Sequence, residues 1–232
     1  MTQKKQALIV RGGWDGHEPV QTTDSMIPFL DGEGFEVRVE EGTAVYADAA
    51  IMAAIDLVVQ VNTMNTIADE ELSGLIAAVV AGTGLAGWHG GIADSYRNSA
   101  DYLQLIGGQF AHHAAVPKEE RTGEQSDNYL DFTVNIVPER RDHPIVSGVE
   151  DFRLHTEQYW VLSDAYNDVL ATTEIVHRDF DAWHRPFTTP VVWTRLWGAG
   201  RIFVCTAGHK LDVLDEPPVR TIVERGLLWA SR

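Results

Sequence analysis

The sequence is short of cysteine, of basic residues and of long apolar runs. Its single cysteine, Cys205, excludes an intramolecular disulfide. Lysine and arginine number 18 against 34 acidic residues, and the resulting net charge of −16 repels nucleic acid and anionic membranes. No window approaches the roughly 18 apolar residues of a membrane helix, and residues 1–6 carry no signal-like apolar stretch. We therefore expect a cytoplasmic protein that binds neither nucleic acid nor membranes.

The first hundred residues alternate between strand-like and helix-like patterns. Strands are predicted at 7–10, 35–40, 56–61 and 85–88, with helices at 19–30 and 72–80. This order implies a parallel sheet with right-handed crossovers and helices on both faces. Ligands of such sheets usually bind beyond the carboxyl ends of the strands, where the loops 12–17 and 87–91 are expected to lie.

The second half is richer in strands. Alternating segments lie between about 129 and 205, a hairpin is predicted around Gly198–Gly200, and a last helix follows Pro217 and Pro218. No repeat, linker or low-complexity tract divides the chain. We expect a single domain over residues 1–232, with the strand-rich segment as an elaboration of the parallel sheet.

Several of the nine histidines follow predicted strands beside glycines. The segment 87–91, Gly-Trp-His-Gly-Gly, has the G-x-Nuc-x-G spacing of a nucleophile elbow, which lifts its central side chain into a cleft. Here that side chain is His89, an imidazole. From spacing alone, His17, His89 and His209 are either site residues or turn residues bonded to backbone. Cys205 lies within an apolar strand and is expected to be a buried core residue.

Motifs spread along the chain resemble one family in order and spacing. They are the loop ending at His17, Gly87–Gly91, Gly107–His113, His143–Gly148, Glu157 with Tyr159, Gly198–Phe203 and Gly208–His209. Together they resemble the ThuA-like, or trehalose-utilisation, family over nearly the full length. The resemblance implies a class I glutamine-amidotransferase-like fold: a flavodoxin-like three-layer α/β sandwich with a parallel central sheet and a β-rich C-terminal elaboration. It also implies a role in bacterial disaccharide or sugar-derivative use, often beside sugar dehydrogenases.

Compared with true amidotransferases, the resemblance places His89 at the cysteine position. His209 matches their strand-end histidine, but Lys210 and Leu211 follow it where Pro-Glu is expected. Thr156 stands where the family leads us to expect a second acid, before Glu157. Cysteine-dependent glutamine hydrolysis is therefore not expected.

Two functions are left open. In the first, an enzyme uses His89, His209, His17 and Glu157 on a sugar or keto-sugar, either by acid–base chemistry or through a divalent metal ion held by separate loops. In the second, a non-catalytic protein binds a sugar or assists a sugar dehydrogenase. The expected partner is a small-molecule carbohydrate, and a homo-oligomer is left open. The residues predicted to contact the ligand are Trp88, Gly90, Gly91, His113 and Tyr159.

Overall fold

The computed structural model describes residues 4–114 and 128–232. Its strands are β1 (Lys5–Gly13), β2 (Phe35–Glu41), β3 (Leu57–Thr63), β4 (Gly84–Trp88), β5 (Gly108–His113), β6 (Tyr129–Ile136), β7 (Phe152–Glu157), β8 (Tyr159–Ser163), β9 (Asp168–Ile175), β10 (Phe187–Trp197) and β11 (Gly200–Cys205). Its α-helices are α1 (Pro19–Gly32), α2 (Ala49–Ala54), α3 (Asp69–Ala81), α4 (Gly90–Ala93), α5 (Ala100–Ile106), α6 (Leu211–Leu214) and α7 (Pro217–Ala230). The protein is thus of the α/β class.

Nine of the strands form one mixed sheet in the order β2-β1-β3-β4-β11-β10-β9-β6-β7. The pairs from β2 to β11 are parallel, as the alternation of strands and helices predicted. The remaining pairs, from β11 through β10, β9 and β6 to β7, are antiparallel. The sheet is therefore parallel over only part of its width, and the strand-rich segment continues it instead of forming a separate layer. Strands β5 and β8 make a second, two-stranded sheet.

Helices cover both faces of the parallel part. Side chains alternate across β1, so that Ala7 and Ile9 pack with α1 and α7 while Leu8 and Val10 pack with α3 and α5. All four are fully buried. Because both faces of the strand are buried, residues 7–10 form a continuous apolar run in the sequence.

The start of α3 differs in detail from the pattern in the sequence. Thr66 followed by Asp69 resembles a capping box, but the helix begins at Asp69 and its preceding residue is Ala68. The carboxylate of Glu71 accepts a hydrogen bond from the Ala68 amide at 3.0 Å, which is the second half of such a box. The long helix-forming run therefore starts two residues later than the Thr66 pairing suggests.

Among the described residues, no helix is long and apolar enough to cross a membrane.

Candidate metal centre and adjoining cavity

His89 occupies a strained turn between β4 and α4. Its backbone has φ 46° and ψ −140°, a conformation that residues with a side chain rarely adopt. The turn needs small neighbours: a Cβ on Gly90 would lie 2.4 Å from His17 Cε1, and one on Gly91 would lie 2.7 Å from Val61 Cα. The glycines of the motif thus permit close packing, and the positive φ of the central residue is the geometry of a nucleophile elbow.

Two further histidines, from the ends of β1 and β11, reach the same point. His17 ends a 3-10 turn (Asp15–His17) after β1, and His209 lies in the loop after β11. The carboxylate of Glu18 accepts a hydrogen bond from the Leu211 amide at 3.0 Å, which ties these two loops together. Because β1, β4 and β11 are parallel, their carboxyl ends share one edge of the sheet.

Glu157 lies at the end of β7, which is the last strand in the order of the large sheet. Its Oε2 lies 3.2 Å from His89 Nε2, 3.1 Å from His209 Nδ1 and 3.9 Å from His17 Nε2. The two imidazole nitrogens of His209 and His89 are 3.1 Å apart. We call His17, His89, Glu157 and His209 the tetrad; each offers one ligand atom, and these atoms all lie within 4.8 Å of one another.

The tetrad is almost completely shielded from solvent. The exposed fraction is 5% for His17 and Glu157, 1% for His89 and 0% for His209. Burial, together with His89 and His209, lowers the pKa of His17 to about 2. Burial also lowers the pKa of His89, although its hydrogen bond with Glu157 opposes this. Burial alone would raise the pKa of Glu157, but hydrogen bonds with His209 and His89 hold it well below its usual range.

Backbone and side-chain oxygens fix the orientation of two of the rings. His89 Nδ1 lies 2.7 Å from the Thr206 carbonyl oxygen, which can only accept, so Nδ1 carries the hydrogen. In a neutral ring, Nε2 is then an unprotonated acceptor that faces the Glu157 carboxylate. His17 Nδ1 lies 2.9 Å from Thr63 Oγ1, which turns its Nε2 toward the same carboxylate. Ring nitrogens of both histidines therefore point at one carboxylate.

A cavity of about 250 Å³ adjoins the tetrad, with His17 and Glu157 in its wall. The other described residues of the wall are Trp14, Met64, Asp94, Arg97, Phe110, His113, Asn128 and Tyr159. Ring contacts connect the cavity to the tetrad, since His89 lies 4.2 Å from Tyr159 and His17 lies 4.7 Å from Trp14 between ring centroids. The cavity thus combines aromatic faces with a few polar groups, as small-molecule sites commonly do.

Two of the five residues predicted to contact the ligand lie in the cavity wall. Tyr159 and His113 lie in the cavity wall, and His113 Nε2 is 3.6 Å from Glu157 Oε1. Burial lowers the pKa of His113 to about 4, against the opposing charge of Glu157. Trp88 is 1% exposed and packs in the core that contains α1 and α7, so its contact with a ligand stays a prediction.

The two glycines of the elbow lie behind the imidazole of His17. Gly90 and Gly91 are buried against His17 and Val61, so they shape the turn and are not part of the cavity wall. His17, and not these glycines, lies in the cavity wall, and a ligand contact of Gly90 or Gly91 stays a prediction.

Sequence reasoning missed Asp94 and Arg97, which follow the elbow directly, and Thr63, which ends β3. A usable signal existed for Thr63, because it follows a predicted strand at the same sheet edge. No comparable pattern marked Asp94 or Arg97. Cys205 is 1% exposed within β11, and burial raises the pKa of its thiol to about 12, in line with a core residue.

Solved structures show the same fold. A ThuA-like protein from Bacteroides uniformis aligns with a TM-score of 0.72 and 15% identity over 97% of this chain and 91% of that chain. A ThuA-like protein from Parabacteroides merdae aligns with a TM-score of 0.71 and 15% identity over 98% and 90%. A protein of Salmonella typhimurium LT2, described as cytoplasmic, aligns with a TM-score of 0.65 and 12% identity over 98% and 100%.

Among curated proteins, no sequence matches this chain. The family comparison is decisive, because the ThuA family, described as "Trehalose utilisation", matches residues 6–230. The chain belongs to the ThuA, or trehalose-utilisation, family.

Proposed function

We propose that this protein binds a divalent transition-metal ion in the tetrad and uses it on a carbohydrate held in the adjoining cavity. The observation that carries the proposal is the convergence of three imidazole nitrogens on one buried carboxylate. His89 Nε2 faces Glu157 Oε2 at 3.2 Å while its other nitrogen is bonded to a carbonyl. A neutral His89 presents a lone pair at Nε2, so a proton or a metal ion between it and the carboxylate offsets their repulsion, and a metal ion also satisfies the facing nitrogens of His209 and His17.

The donor set suits such an ion. Neutral imidazoles and a carboxylate are common ligands of zinc and related metals. Ligand atoms around a tetrahedral zinc ion are separated by roughly 3.4 Å, as follows from bonds of about 2.0–2.1 Å. Four of the six distances between tetrad ligand atoms are 3.1, 3.1, 3.2 and 3.9 Å, and all six are within 4.8 Å, so small side-chain shifts suffice to reach that spacing. His89 Nδ1 is hydrogen bonded to the Thr206 carbonyl oxygen and His17 Nδ1 to Thr63 Oγ1. Hydrogen bonds of this kind, made by the nitrogen that does not face the ion, orient histidine ligands in metal sites.

The roles of the residues follow from their places. A bound divalent ion would polarise a carbonyl or hydroxyl oxygen of the ligand. His113 faces both the cavity and Glu157, and as a neutral imidazole it can accept a proton from a carbon next to a sugar carbonyl. Tyr159 and Phe110 contact each other at 4.5 Å and keep water from that part of the wall. Membership of a trehalose-utilisation family supports a disaccharide or keto-sugar as substrate.

We also propose that the parallel part of the sheet is of the flavodoxin type found in class I glutamine amidotransferases. Its strand order, β2-β1-β3-β4-β11, is the order 2-1-3-4-5 of flavodoxin-like folds. The elbow geometry of His89 supports the same ancestry. Amidotransferase chemistry itself is not proposed, because Cys205 is buried in β11 and His89 stands at the elbow.

A second candidate function is non-catalytic. Three imidazoles and one carboxylate can fill all four positions of a tetrahedral ion, which is the closed form of structural zinc sites. On this alternative, the cavity binds a sugar, or the protein assists a sugar dehydrogenase, without turnover.

Metal content and turnover separate these functions. We expect the wild-type protein to retain metal in elemental analysis, whereas His89→Ala and Glu157→Gln lose most of it. His177→Ala, which changes an exposed histidine, is the matched control and should retain metal. Oxidised trehalose is the test substrate, with chelator and added zinc as the two arms. Full metal content in both tetrad variants contradicts the metal centre, and metal binding without zinc-dependent turnover supports the non-catalytic candidate.

A further inference from the structure

The cavity wall contains an ion pair that the tetrad does not use. Asp94 follows α4 and is 4% exposed, while the side chain of Arg97 is 49% exposed. The guanidinium of Arg97 donates to both carboxylate oxygens of Asp94, through Nε to one and through a terminal nitrogen, at 2.6 Å, to the other. Both residues line the cavity. This fork-to-fork geometry holds the two polar groups in one plane.

The pair keeps hydrogen-bonding capacity for a ligand. A carboxylate offers about four acceptor positions and a guanidinium five donors, and the fork consumes only two of each. Donors and acceptors therefore lie side by side at the cavity wall. Two neighbouring hydroxyl groups of a sugar ring, each both donor and acceptor, match this arrangement.

Aromatic rings run along the rest of the wall. Arg97 lies over Phe110 with 5.5 Å to the ring centroid, and Phe110 contacts Tyr159. At the other end, Trp14 is 44% exposed and its ring packs over Gly16, where a Cβ would lie 2.3 Å from the indole. A solvent-facing indole fixed in this way offers a flat apolar surface at the cavity mouth.

The size of the cavity limits what can enter. The described residues enclose about 250 Å³, below the roughly 300–1,000 Å³ of pockets that bury drug-sized ligands. One sugar ring is of the right size, whereas a second ring has to extend past Trp14 and Met64, which are both partly exposed.

We propose that the cavity binds one sugar ring of its ligand, with Asp94 and Arg97 hydrogen bonding two adjacent hydroxyl groups and Trp14 stacking on the ring at the mouth. The remainder of a disaccharide or glycoside lies outside. This inference rests on the proposed function for its ligand class, and it assigns specificity to residues outside the tetrad.

Calorimetric titration with D-glucose and trehalose tests the proposal, on the full chain with zinc and with chelator. We expect the two sugars to bind within about threefold of each other, because only one ring is held. Arg97→Gln and the double variant Asp94→Asn with Arg97→Gln should weaken both by about tenfold or more. Trp14→Ala should weaken them severalfold and Trp14→Phe should restore binding.

Matched controls and deoxy sugars exclude a merely structural role. Arg140→Gln breaks an exposed ion pair with Asp168, and Tyr166→Ala removes an exposed ring; both should bind like wild type. One or two monodeoxy-glucoses should bind to the wild type about tenfold more weakly than glucose does. The double variant should bind these deoxy sugars and glucose with equal affinity. A structural defect would lower binding of all sugars alike and leave that difference intact.

Three results would overturn the ring site: no binding of either sugar by wild type, trehalose bound over tenfold more tightly than glucose, or unchanged binding in the Arg97 and Trp14 variants. Metal content, measured on the same samples, reports separately on the tetrad. Sugar binding by zinc-treated protein that retains no metal therefore contradicts only the proposed metal centre, and metal retention without sugar binding contradicts only the ring site.

Discussion

The strained backbone of His89 makes a stability prediction that is opposite in sign to the usual one. At an ordinary position, alanine is more stabilising than glycine by about 0.4–1 kcal/mol, because glycine gains more freedom in the unfolded chain. At φ 46° and ψ −140°, a residue with a Cβ costs roughly 1–3 kcal/mol in the folded state. Glycine removes that cost. The difference predicts that His89→Gly is more stable than His89→Ala by about 0.5–2 kcal/mol.

Both variants lose the same imidazole contacts, so their comparison isolates the backbone. Urea unfolding of the two metal-free proteins measures the difference in free energy of unfolding directly. For a chain of 232 residues, each kcal/mol corresponds to about 2–4 °C in Tm, so a thermal scan should agree in sign. The control is the same pair of changes at His155, an exposed residue within β7, where alanine should be the more stable. If His89→Ala is the more stable variant, the elbow is not strained and the comparison with nucleophile elbows fails.

Other predictions concern the tetrad and its surroundings. Zinc at 100 times its Kd should raise Tm by roughly 5–10 °C, and this shift should vanish in Glu157→Gln but persist in His177→Ala. Gly90→Ala should abolish the zinc shift, because its Cβ would lie 2.4 Å from His17 Cε1, whereas Gly32→Ala, with nothing within 4 Å, should keep it. Cys205→Ser should cost about 1–3 kcal/mol of stability yet leave zinc binding intact, and iodoacetamide should label native Cys205 only as fast as the protein unfolds. Rapid labelling of folded protein contradicts the buried thiol.

The part of the site that follows parallel strands could be predicted from the sequence. The apolar runs of β1 and β4 are recognisable because both faces are buried, and the residues after such strands must lie at one edge of the sheet. For this reason His17, His89 and His209 could be placed near one another before any coordinates. Their catalytic role stays a prediction, as does the single domain over residues 1–232.

The position of Glu157 in the site could not be predicted from local sequence patterns, because it depends on long-range antiparallel pairing. Glu157 enters the site because β7 pairs with β6, so that Glu157 lies opposite Tyr129, whose ring is 5.3 Å from that of His209. That register depends on contacts between distant segments and leaves no periodic signal. Side chains alternate along β4, which sends Trp88 into the core, while the turn that follows directs His89 toward Glu157.

In the proposed amidotransferase-like fold, an imidazole at the elbow in place of a thiol changes what the turn can do. A cysteine there would present a nucleophilic sulfur close to the backbone, whereas His89 extends further and places Nε2 within 3.2 Å of Glu157, with Nδ1 bonded to Thr206. Cys205 cannot replace the missing thiolate, because its pKa is raised to about 12 by burial in β11. A ring held at one nitrogen by a carbonyl presents a fixed lone pair at the other, which is the property of a metal ligand. In the proposed metal centre, the strained turn that exposes a nucleophile in other α/β proteins would therefore aim a ligand atom.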